Sequence, residues 1–592
     1  MIDTAHLAGL LARSVNMFAD EPAVRIHDGD AWQVETYAEF AAKVRALAAR
    51  FIDRGLAPGD RVAIFAPNRP EWSLVDFACA EAGLVSVPLY ATSTAEQVRH
   101  IVRDSGSKLI FVDGAGRAAM LTELRPELAE LDDVIALTPV EGVTSLDDEL
   151  AAAPADTSAV EARLAVVDPD ALATIIYTSG TTGEPKGVML SHRGFTHQVT
   201  ALNKYFRLAP GDVSLCFLPL SHALERAWTY EVLANGCLNT YVADPRQVAE
   251  QMILAQPNLL VSVPRLYEKV YNTAKEKVAD SALKQKIMSW ALKVGAEYAD
   301  ALRTGKRPPA GLTARLNIAD RLVLHAVREA VGGAKKVLAC GGAPMRREVE
   351  EFFYSCGMTV LTGYGLTEAS PLVTFPPPLD YEVGNVGKVM PGGELRVAED
   401  GELLYRGPNL MLGYWNKPEE TAATIRDGWL HTGDVGVVEG GYVRITDRIK
   451  DLIVTSNGKN IAPSAIEGMI AADPLFEYTL LLGDNRPYLT LLVAPSLPHL
   501  DEIAKQLQIS WAKREELLDN PQVIEEIKRR IGALTEKLPS HEQIRDLRLL
   551  IDGFTQENGM LTPTLKVRRK EVEKRFAQLV DDMYARVGKS RR

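Results

Sequence analysis

Tyr177–Gly187, with the sequence YTSGTTGEPKG, is the segment that decides the fold of this chain. It contains three glycines, one lysine and four hydroxyl side chains besides that of Tyr177. Free backbone N–H groups, hydroxyls and a cation in one glycine-rich loop suit a polyphosphate ligand. The apolar run Leu172–Ile176 predicts a buried strand before it. The loop should therefore begin at the end of a strand, where α/β folds commonly bind ligands.

This segment has two other possible interpretations. A P-loop requires the pattern G-x-x-x-x-G-K-[ST]. Here Pro185 stands five residues after Gly180, and Lys186 is followed by Gly187, so the pattern fails on spacing. A solvated glycine-rich loop stays open as an alternative, because serine, threonine and glycine are common in loops.

Length and charge narrow the class of protein. A chain of 592 residues is too long for one core, so we expect two or more domains. The formal net charge of −12 argues against a nucleic-acid-binding protein, which usually carries a basic face. Anionic substrates would have to be met by local cations, since screening limits the reach of distant charges to roughly 10 Å.

Cysteine usage and hydropathy indicate a cytoplasmic protein. The five cysteines have no CxxC or metal-binding spacing, which predicts reduced and mostly buried thiols. The first residues, MIDTAHLAGLLARSVNMF, lack the basic region of a signal peptide. No apolar run reaches the roughly 18–20 residues that span a bilayer. Peripheral membrane contact stays open.

The first 165 residues alternate between two patterns. Tyr37–Arg54 and Glu71–Gly83 have helical periodicity, whereas Arg61–Phe65 and Leu84–Leu89 are predicted strands. Such alternation predicts an α/β fold with a mostly parallel sheet and helices outside it.

Three later segments place chemically active residues after predicted strands. PLSHALER follows the strand Val213–Leu218 and contains His222, which could face a substrate carboxylate, although a lone histidine is often structural. CGGAPM follows Val337–Ala339, and its glycines would let the backbone approach a flat ligand. TGYGLTEAS follows Thr359–Leu361. Its Tyr364 could stack on a nucleobase, and its Glu368 offers the oxygen ligand that magnesium prefers.

A long helical segment, Pro264–Gly333, separates the first two of these motifs from each other. Apolar residues at helical spacing from Ile287 to Leu302 predict a core-facing side. Arg303–Gly311, RTGKRPPAG, interrupts the helical pattern as a basic loop. Both a membrane-surface role and a solvated face are open for this loop.

The region after residue 427 contains the predicted domain boundary. Asp434, in DGWLHTGDVG, has the carboxylate that suits a ribose diol, and a turn aspartate is the alternative. The charged break Asp447–Asp451, DRIKD, divides the chain into predicted domains 1–449 and 450–592. The second of these is a smaller α+β unit.

These clusters resemble, in order and over nearly the whole chain, the adenylate-forming superfamily of acyl-CoA synthetases, luciferases and nonribosomal peptide adenylation domains. VPRLYEKVY and the long helical insert before LACGGAP are similar to the long-chain fatty acyl-CoA synthetase branch. The resemblance implies a large N-terminal domain of mixed and parallel sheets with flanking helices, and a small mobile C-terminal domain. It also implies an ATP-dependent, AMP-forming ligase that converts a long-chain fatty acid to its acyl-adenylate and then to acyl-CoA, with Mg²⁺ as cofactor.

The resemblance assigns a role to each candidate residue. Contacts with ATP or AMP are implied for Thr178, Ser179, Gly180, Thr181, Thr182, Gly183, Lys186, Gly342, Ala343, Tyr364, Gly365, Thr367, Asp434 and Arg448. Magnesium would be held by Thr178 and Glu368, both also catalytic, and substrate would lie near His222 and Trp228. Lys566 would be the mobile catalytic lysine and Lys450 the hinge.

One departure from the pattern concerns the catalytic lysine. The superfamily often has glycine before it, and here the residue is Leu565. Arg568 and Arg569 are poor substitutes, since a planar guanidinium does not replace a compact ammonium.

The residues leave other functions open. The alternatives are an acyl-AMP ligase that loads a carrier protein, a CoA ligase for another acid, and a nucleotide-binding scaffold without activity. The expected partners are fatty acid, ATP and coenzyme A, not nucleic acid, and the expected state is a monomer or homodimer.

Overall fold

The computed structural model describes residues 5–178, 185–456, 459–555, 558–562 and 566–589. The chain forms two compact units. Unit 1 comprises Met1–Arg396, Leu404–Thr432 and Val438–Arg444, and unit 2 comprises Val397–Leu403, Gly433–Val437 and Ile445–Arg592. The predicted α/β class, with a large N-terminal part and a smaller C-terminal part, is confirmed. The single boundary between residues 449 and 450 stays a prediction.

Helices and strands alternate over most of the chain. The α-helices are α1 (Leu7–Phe18), α2 (Tyr37–Asp53), α3 (Pro70–Ala82), α4 (Ala95–Ser105), α5 (Ala115–Leu124), α6 (Leu146–Ala151), α7 (Ser158–Leu164), α8 (His192–Leu202), α9 (Ala223–Ala234), α10 (Val248–Ala255), α11 (Pro264–Glu276), α12 (Ala282–Arg303), α13 (Ala310–Ala319), α14 (His325–Glu329), α15 (Arg347–Ser355), α16 (Pro418–Thr424), α17 (Pro463–Ile470), α18 (Leu497–Gln506), α19 (Glu515–Leu518), α20 (Pro521–Leu534), α21 (Arg569–Arg575) and α22 (Ala577–Lys589). The strands are β1 (Pro22–His27), β2 (Trp32–Thr36), β3 (Arg61–Phe65), β4 (Val85–Leu89), β5 (Ser107–Val112), β6 (Asp133–Ala136), β7 (Leu172–Thr178), β8 (Lys186–Ser191), β9 (Val213–Cys216), β10 (Leu238–Tyr241), β11 (Leu259–Ser262), β12 (Val337–Cys340), β13 (Val360–Thr362), β14 (Tyr364–Gly365), β15 (Leu372–Phe375), β16 (Lys388–Val389), β17 (Glu394–Val397), β18 (Glu402–Arg406), β19 (Gly413–Tyr414), β20 (Ile425–Arg426), β21 (Trp429–Glu439), β22 (Tyr442–Arg448), β23 (Ile453–Val454), β24 (Asn460–Ile461), β25 (Phe476–Leu482), β26 (Leu489–Pro495) and β27 (Ile544–Leu549).

The predicted elements of the first 165 residues are confirmed within one or two residues. Helix α2 begins at a capping box, in which the Thr36 hydroxyl accepts the Glu39 N–H and the Glu39 carboxylate accepts the Thr36 N–H. Its apolar residues at helical spacing, including Phe40 and Phe51, are fully buried. Local capping and periodicity therefore agree here with the tertiary fold.

Unit 1 contains two seven-stranded sheets. The first has the order β13-β12-β11-β9-β10-β1-β2, with β2 antiparallel at its edge. The second has the order β19-β8-β7-β4-β3-β5-β6, and its strands from β7 to β6 are parallel. Strand β8 is antiparallel to β7, so the loop between them belongs to a β-hairpin. The strand predicted to precede this loop is confirmed as β7.

A buried ion pair ties helix α9 to the second sheet. The Arg226 guanidinium on α9 pairs with Asp76 on α3 and donates to the Thr174 hydroxyl of β7 at 2.7 Å and the Ser86 hydroxyl of β4 at 2.6 Å. Both charged side chains are almost completely buried. Removing one partner would leave the other charge buried and unpaired, so this contact fixes α9 against β4 and β7.

The predicted core side of the long insert is confirmed in part. Ala291 and Val294 of α12 are buried in one cluster with Phe352 and Phe353 of α15. Leu302, however, is 57% exposed, so its assignment to the core is wrong. It lies in the last turn of α12, where the helix has passed the core and the basic loop begins.

Unit 2 is built on the sheet β25-β26-β27, with β26 antiparallel to β25 and parallel to β27. Leu481, Leu491 and Val493 pack on one face against α17, α18 and α20. Leu492 and Ala494 pack on the other face, together with residues of α21 and α22. Since successive strand residues point to opposite faces, helices on both sides bury every residue of β26.

Two further findings bear on the sequence predictions. All five cysteines are unpaired thiols and buried, as predicted. Among the residues that the structure describes, no helix has the length and apolar character needed to cross a bilayer.

Candidate active site

The first sheet of unit 1 brings four loops to one edge. Strands β9, β11, β12 and β13 are parallel, so their carboxyl ends meet there. The loops that follow are connected through the backbone. The Gly341 N–H donates to the Ser262 carbonyl at 3.0 Å, and the Gly363 N–H donates to the Cys340 carbonyl at 2.8 Å. This edge therefore gathers the segments that follow β11, β12 and β13.

The residues predicted to bracket adenine lie at this edge. Gly342 and Ala343 are exposed directly after β12, and Gly342 has a φ of +83°, which glycine adopts without strain. Tyr364 and Gly365 form β14, where Tyr364 is nearly buried. Thr367 begins the short helical turn that follows. The exposed segment Gly342–Ala343 and Tyr364 therefore follow two neighbouring parallel strands, β12 and β13, at the same edge of the sheet.

His222 and Trp228, the two predicted substrate residues, lie in different environments on α9. His222 is the half-buried N-cap residue, and its Nδ1 accepts the Leu224 N–H at 3.2 Å. Leu224 itself lies against Gly341. Trp228 is buried in the core and donates from Nε1 to the Ser214 hydroxyl at 3.0 Å. His222 thus lies beside the carboxyl edge of the first sheet, whereas Trp228 packs in the core below that edge.

Glu225 holds the segment that precedes α9. It is completely buried, and its carboxylate accepts the Leu218 N–H at 3.0 Å. Burial raises the pKa of Glu225 to about 8, against hydrogen bonds that lower it. The side chain therefore fixes the backbone after β9 and is not displayed to a substrate.

The phosphate-loop hairpin is described at both of its ends. Thr178 closes β7 and pairs with Lys186, the first residue of β8. The predicted contacts Ser179, Gly180, Thr181, Thr182 and Gly183 lie outside the described residues. Lys186 forms an ion pair with Glu420 of α16, and its ammonium lies 5.5 Å from the ring centre of Tyr414. The loop is thus connected at both ends to the paired strands β7 and β8, and the Lys186 ammonium lies beside the Tyr414 ring.

Strand β19 joins this hairpin to Glu368. Tyr414 of β19 pairs with Val188 of β8, and its hydroxyl donates to the Glu368 carboxylate at 2.9 Å. The Met411 N–H donates to the Glu368 carbonyl at 2.8 Å. Two chain segments far apart in sequence, the hairpin and the turn that carries Glu368, are therefore held together by one short strand.

The donor set at Glu368 fits magnesium. The carboxylate is half-buried and is held by a neutral hydroxyl donor, so its negative charge is available to a cation. Within the part of the chain that the structure describes, no group of three or more His, Cys, Asp or Glu side chains is gathered to hold a metal. Magnesium is commonly bound through one or two carboxylates together with substrate phosphates and water. One carboxylate beside a phosphate loop matches that pattern.

Unit 2 brings three predicted residues together. The buried Asp434 carboxylate accepts the Arg448 guanidinium at 2.7 Å. Both charges act on Lys566. Desolvation and then the like charge of Arg448 lower the pKa of Lys566 to about 8, while Asp434 opposes the shift. Lys566 as a residue is exposed, so water screens part of the desolvation effect.

Lys566 is hydrogen-bonded to Thr562, and its two basic neighbours Arg568 and Arg569 are engaged by other groups. The Lys566 N–H donates to the Thr562 hydroxyl at 3.0 Å, and the Thr562 N–H donates to the Lys566 carbonyl at 2.8 Å. Arg569 pairs with Glu467 at 2.8 Å, and Arg568 donates to the Gly559 carbonyl at 3.3 Å. Leu565, the departure from the superfamily pattern, lies outside the described residues. The assignment of Lys566 as the catalytic lysine stays a prediction.

Lys450, the predicted hinge, is exposed in the turn after β22. The N–H groups of Asp451 and Leu452 both donate to the Arg448 carbonyl, at 3.0 and 3.1 Å, and close this turn. The role of Lys450 as a hinge stays a prediction.

Tyr414 and Glu420 are the site residues that sequence reasoning missed. They lie 46 residues or more after the Glu368 motif, within GYWNKPEE, and carry no phosphate-loop or metal-ligand spacing. The pairing of β19 with β8 places Tyr414 at this site, and the ion pair with Lys186 places Glu420 there. Aromatic and acidic residues outside a recognisable motif are too common in a sequence to have identified them.

An α/β sheet whose carboxyl edge gathers the segments after β12 and β13, beside a phosphate-loop hairpin and a magnesium-compatible carboxylate, defines a nucleotide-dependent enzyme. The family model described as AMP-binding enzyme matches residues 11–415, and the AMP-binding enzyme C-terminal domain matches residues 450–588. The chain belongs to the AMP-binding enzyme family, and its resemblance to the adenylate-forming superfamily is confirmed.

Curated relatives match almost the whole chain. It is 37% identical over 566 residues to the long-chain-fatty-acid–CoA ligase FadD15 of Mycobacterium tuberculosis, a match that covers 95% of this chain and 94% of that protein. It is 31% identical over 591 residues to the peroxisomal long chain acyl-CoA synthetase 6 of Arabidopsis thaliana, covering 94% of this chain and 82% of that one.

Solved structures share the fold. The A-PCP didomain of the carboxylic acid reductase from Segniliparus rugosus, in complex with AMP, matches with a TM-score of 0.77 at 21% identity, covering 99% of this chain and 83% of that one. ATP-bound MatB from Rhodopseudomonas palustris matches with a TM-score of 0.69 at 24% identity, covering 96% and 99%. At these identities the likeness establishes the fold alone.

Proposed function

We propose that this protein is an ATP-dependent long-chain fatty acid–CoA ligase that forms AMP. The observation that carries the proposal is the 37% identity to the M. tuberculosis long-chain-fatty-acid–CoA ligase, because it extends over 95% of the chain and so includes both halves of the site. The sheet edge and hairpin of unit 1 and the charged group Asp434–Arg448–Lys566 of unit 2 are consistent with it.

The first half-reaction joins a carboxylate to the α-phosphorus of ATP and releases pyrophosphate. A fatty acid is already ionised at neutral pH, since carboxyl groups titrate near pH 4. No general base is therefore needed. The difficulty is that one anion must attack another, so the enzyme has to neutralise charge on the α-phosphate and on the departing pyrophosphate.

Each side chain has a place in this step. Lys186 and the loop hydroxyls would bind the β- and γ-phosphates, Thr367 the α-phosphate, and Gly342, Ala343 and Tyr364 the adenine. Asp434 and Arg448 would bind the ribose. Magnesium, held by Glu368 and the Thr178 hydroxyl, would supply positive charge to the phosphate oxygens. The Lys566 ammonium would stabilise the charge that develops between the carboxylate and the α-phosphate.

The second half-reaction transfers the acyl group to sulfur. The thiol of CoA attacks the acyl carbonyl of the adenylate, the carbon–oxygen bond to AMP breaks, and the thiol proton is released. Lys566 is not required in this step, because the thiol and the acyl carbonyl are not two anions whose electrostatic repulsion has to be overcome. Unit 2 would rotate about Lys450 between the two steps.

A fatty-acid-dependent exchange assay tests the proposal. The full-length protein is incubated with ATP, labelled pyrophosphate and saturated acids from acetate to stearate. We expect label to enter ATP only when acid is present, with the largest exchange for long chains. Absence of exchange with every acid would support a nucleotide-binding protein without ligase activity.

A discharge assay identifies the acceptor. Acyl-adenylate formed on the enzyme is offered either CoA or acyl-carrier protein, and the thioester is measured. We expect transfer to CoA. Transfer to the carrier protein alone would instead identify an acyl-AMP ligase, and a preference for short acids in the exchange assay would identify a CoA ligase for another acid.

A further inference from the structure

A mostly buried ion pair of unit 2 holds the segment that directly follows Lys566. Arg569, the first residue of α21, donates from Nη1 to both carboxylate oxygens of Glu467 on α17, at 2.8 and 3.0 Å. Its Nη2 donates to the Leu481 carbonyl of β25 at 2.5 Å. The Glu467 carboxylate also accepts the Leu481 N–H, at 2.6 Å. We call Glu467, Arg569 and the peptide groups of Leu481 the clasp.

The clasp closes the edge of a sheet. Strand β25 stands at the edge of the three-stranded sheet of unit 2, and the clasp supplies partners to both the N–H and the carbonyl of Leu481. The Arg569 and Glu467 side chains are only 16% and 19% exposed, so water weakens their charge-assisted hydrogen bonds little. The clasp therefore fixes α17, β25 and the start of α21 to one another.

The other end of α17 is bonded to the strand that carries Arg448. The Ser464 hydroxyl donates to the buried Asp447 carboxylate at 3.2 Å, and the same carboxylate oxygen accepts the Arg448 N–H at 2.7 Å. Ser464 and Glu467 are three residues apart, so they lie on the same side of α17. One helix thus connects the end of β22, where Arg448 lies, to the segment that follows Lys566.

The backbone that follows Lys566 is anchored at two points. Val567 forms a β-bridge with Leu561, which is buried in a core cluster of unit 2. Arg569, three residues after Lys566, is held in the clasp. The position of Lys566 relative to Arg448 therefore depends on contacts that neither of these two residues makes itself.

We propose that Glu467 and Arg569 are positioning residues, which hold Lys566 beside Arg448 for the first half-reaction. Each of the two side chains is engaged by the other and by Leu481, so they act through Lys566 and not on a substrate. The inference rests on the proposed function, in which Lys566 serves adenylation only. Displacement of a reacting group by about 1 Å can cost about 10²-fold in rate. Loss of the clasp should therefore slow adenylation and spare acyl transfer to CoA.

The charge on Lys566 reports whether this placement is kept. Desolvation and then the like charge of Arg448 lower the pKa of Lys566 to about 8, while Asp434 opposes the shift. If the clasp opens and Lys566 moves into water, both lowering influences weaken. The pKa should then rise toward its ordinary value of about 10.4. The other charged groups that act on the clasp are Asp447, Asp451 and Glu573.

Competitive labelling measures this pKa without any turnover. The full-length protein is treated with acetic anhydride over a series of pH values, and acetylation of Lys566 is measured by peptide mass spectrometry. We expect a midpoint near pH 8 in the wild type and a rise of at least about one pH unit in Arg569→Met. A wild-type midpoint near about 10.4, or an unchanged midpoint in Arg569→Met, would overturn the proposal.

A double variant keeps the test decisive if Arg569→Met does not fold. Glu467→Gln with Arg569→Met removes both charges, so neither is left buried without its partner. The amide oxygen at position 467 can still accept the Leu481 N–H, and the same upward shift is expected. Arg569→Lys keeps the charge without the planar fork, so its shift should be smaller and in the same direction. A double variant with the wild-type midpoint would show that the clasp does not position Lys566.

Arg530→Met is the matched control. Arg530 also forms a largely buried ion pair in unit 2, with Asp473 at 3.1 Å. Its loss should leave the labelling midpoint of Lys566 unchanged and the adenylation rate within about twofold of wild type. If Arg530→Met shifts the midpoint as far as Arg569→Met does, general loosening of unit 2 explains the effect and the proposal is wrong.

The separate half-reactions give a second measurement. In rapid-quench experiments Arg569→Met should lower the rate of adenylate formation by at least about tenfold. Conversion of supplied acyl-adenylate and CoA to thioester should stay within about twofold of wild type. Equal losses in both half-reactions would contradict a positioning role. If the wild type shows no exchange with any acid, the proposed function fails, whereas labelling still decides whether the clasp places Lys566.

Discussion

The two units hold their predicted site residues in different ways. In unit 1 the residues follow strands of large sheets, and Glu368 is held by Tyr414 and by the Met411 N–H. In unit 2 Asp434 lies in β21 and Arg448 ends β22, and the interactions are mainly electrostatic, since Arg448 pairs with Asp434 and both charges act on Lys566. The predicted residues of unit 1 are thus held by backbone and strand contacts, whereas those of unit 2 interact mainly through their charges.

This difference predicts a division of labour between the half-reactions. Under the proposed function, adenylation must overcome repulsion between two anions, so it would need the cations of unit 2 as well as the residues of unit 1. Attack by a thiol on an acyl-adenylate has no such requirement. Substitutions in unit 2 should therefore separate the half-reactions, and substitutions around Glu368 should change the metal requirement.

The largest effect is expected at Lys566. Lys566→Ala should lower the rate of adenylate formation by about 10²–10³-fold or more, as the loss of a charge-stabilising group commonly does. Conversion of supplied acyl-adenylate and CoA to thioester should continue near the wild-type rate. Rapid-quench measurement of each half-reaction is the test, with the exposed Lys570→Ala as control. Equal loss of both half-reactions would refute the assignment of Lys566 to the first step.

The next effect is expected at Lys450. Proline fixes φ and removes an N–H, so Lys450→Pro should restrict rotation at the turn after β22. We expect adenylation to survive, since ATP binding favours the arrangement that brings Lys566 to the nucleotide, and thioester formation to fall by at least about tenfold. Lys450→Ala, which leaves the backbone free, is the control. Wild-type rates of acyl-CoA synthesis by Lys450→Pro would place the hinge elsewhere.

A smaller effect is expected at the carboxylate of unit 1. Glu368→Gln removes one hard oxygen ligand, so the magnesium concentration at half-maximal adenylation should rise about tenfold or more. Tyr414→Phe keeps the carboxylate and removes only its hydroxyl donor, so its shift should be smaller and in the same direction. Magnesium titrations of the exchange reaction measure both. A flat response in Glu368→Gln would mean that the carboxylate only caps the turn.

The pH dependence of adenylation should report the charge on Lys566. The ammonium is present below its pKa of about 8 and is lost above it, so the adenylation rate should fall as pH rises through about 8. Lys566→Arg keeps its charge throughout this range and should be slower but independent of pH. If the two enzymes lose activity in parallel above pH 8, another group controls the profile.

The smallest effect concerns the packing of the unit 1 insert and affects stability alone. A methyl group on Gly295 of α12 would lie 1.9 Å from the Ser355 carbonyl oxygen of α15, whereas one on Gly311 of α13 would meet nothing within 4 Å. Gly295→Ala should therefore destabilise unit 1 by about 1–3 kcal/mol. Gly311→Ala should be neutral or stabilise it by up to about 1 kcal/mol. Thermal unfolding of both variants is the measurement, and equal melting temperatures would show that α12 can move away from α15.

Much of the fold could be predicted because its signals are local. The capping box at Thr36, the apolar spacing of α2 and the strand before the phosphate loop each depend on residues within one or two turns of each other. Leu302 marks the limit of this approach. Its spacing matches the core side of α12. Whether the last turn of α12 is buried depends, however, on packing against α15, about 50 residues later in the chain.

The sequence by itself determined the order of the motifs, the class of chemistry and most of the candidate residues, because glycine-rich loops and isolated carboxylates have a restricted chemistry. Tertiary structure alone decided which groups share a site. Pairing of β19 with β8 brings the Tyr414 hydroxyl to the Glu368 carboxylate. The fold of unit 2 brings Lys566 close enough to Arg448 and Asp434 for their charges to change its pKa. The physical reason is that a pKa and a metal ligand set depend on distances between atoms, and residues 46 to 132 positions apart acquire those distances only when the sheets form.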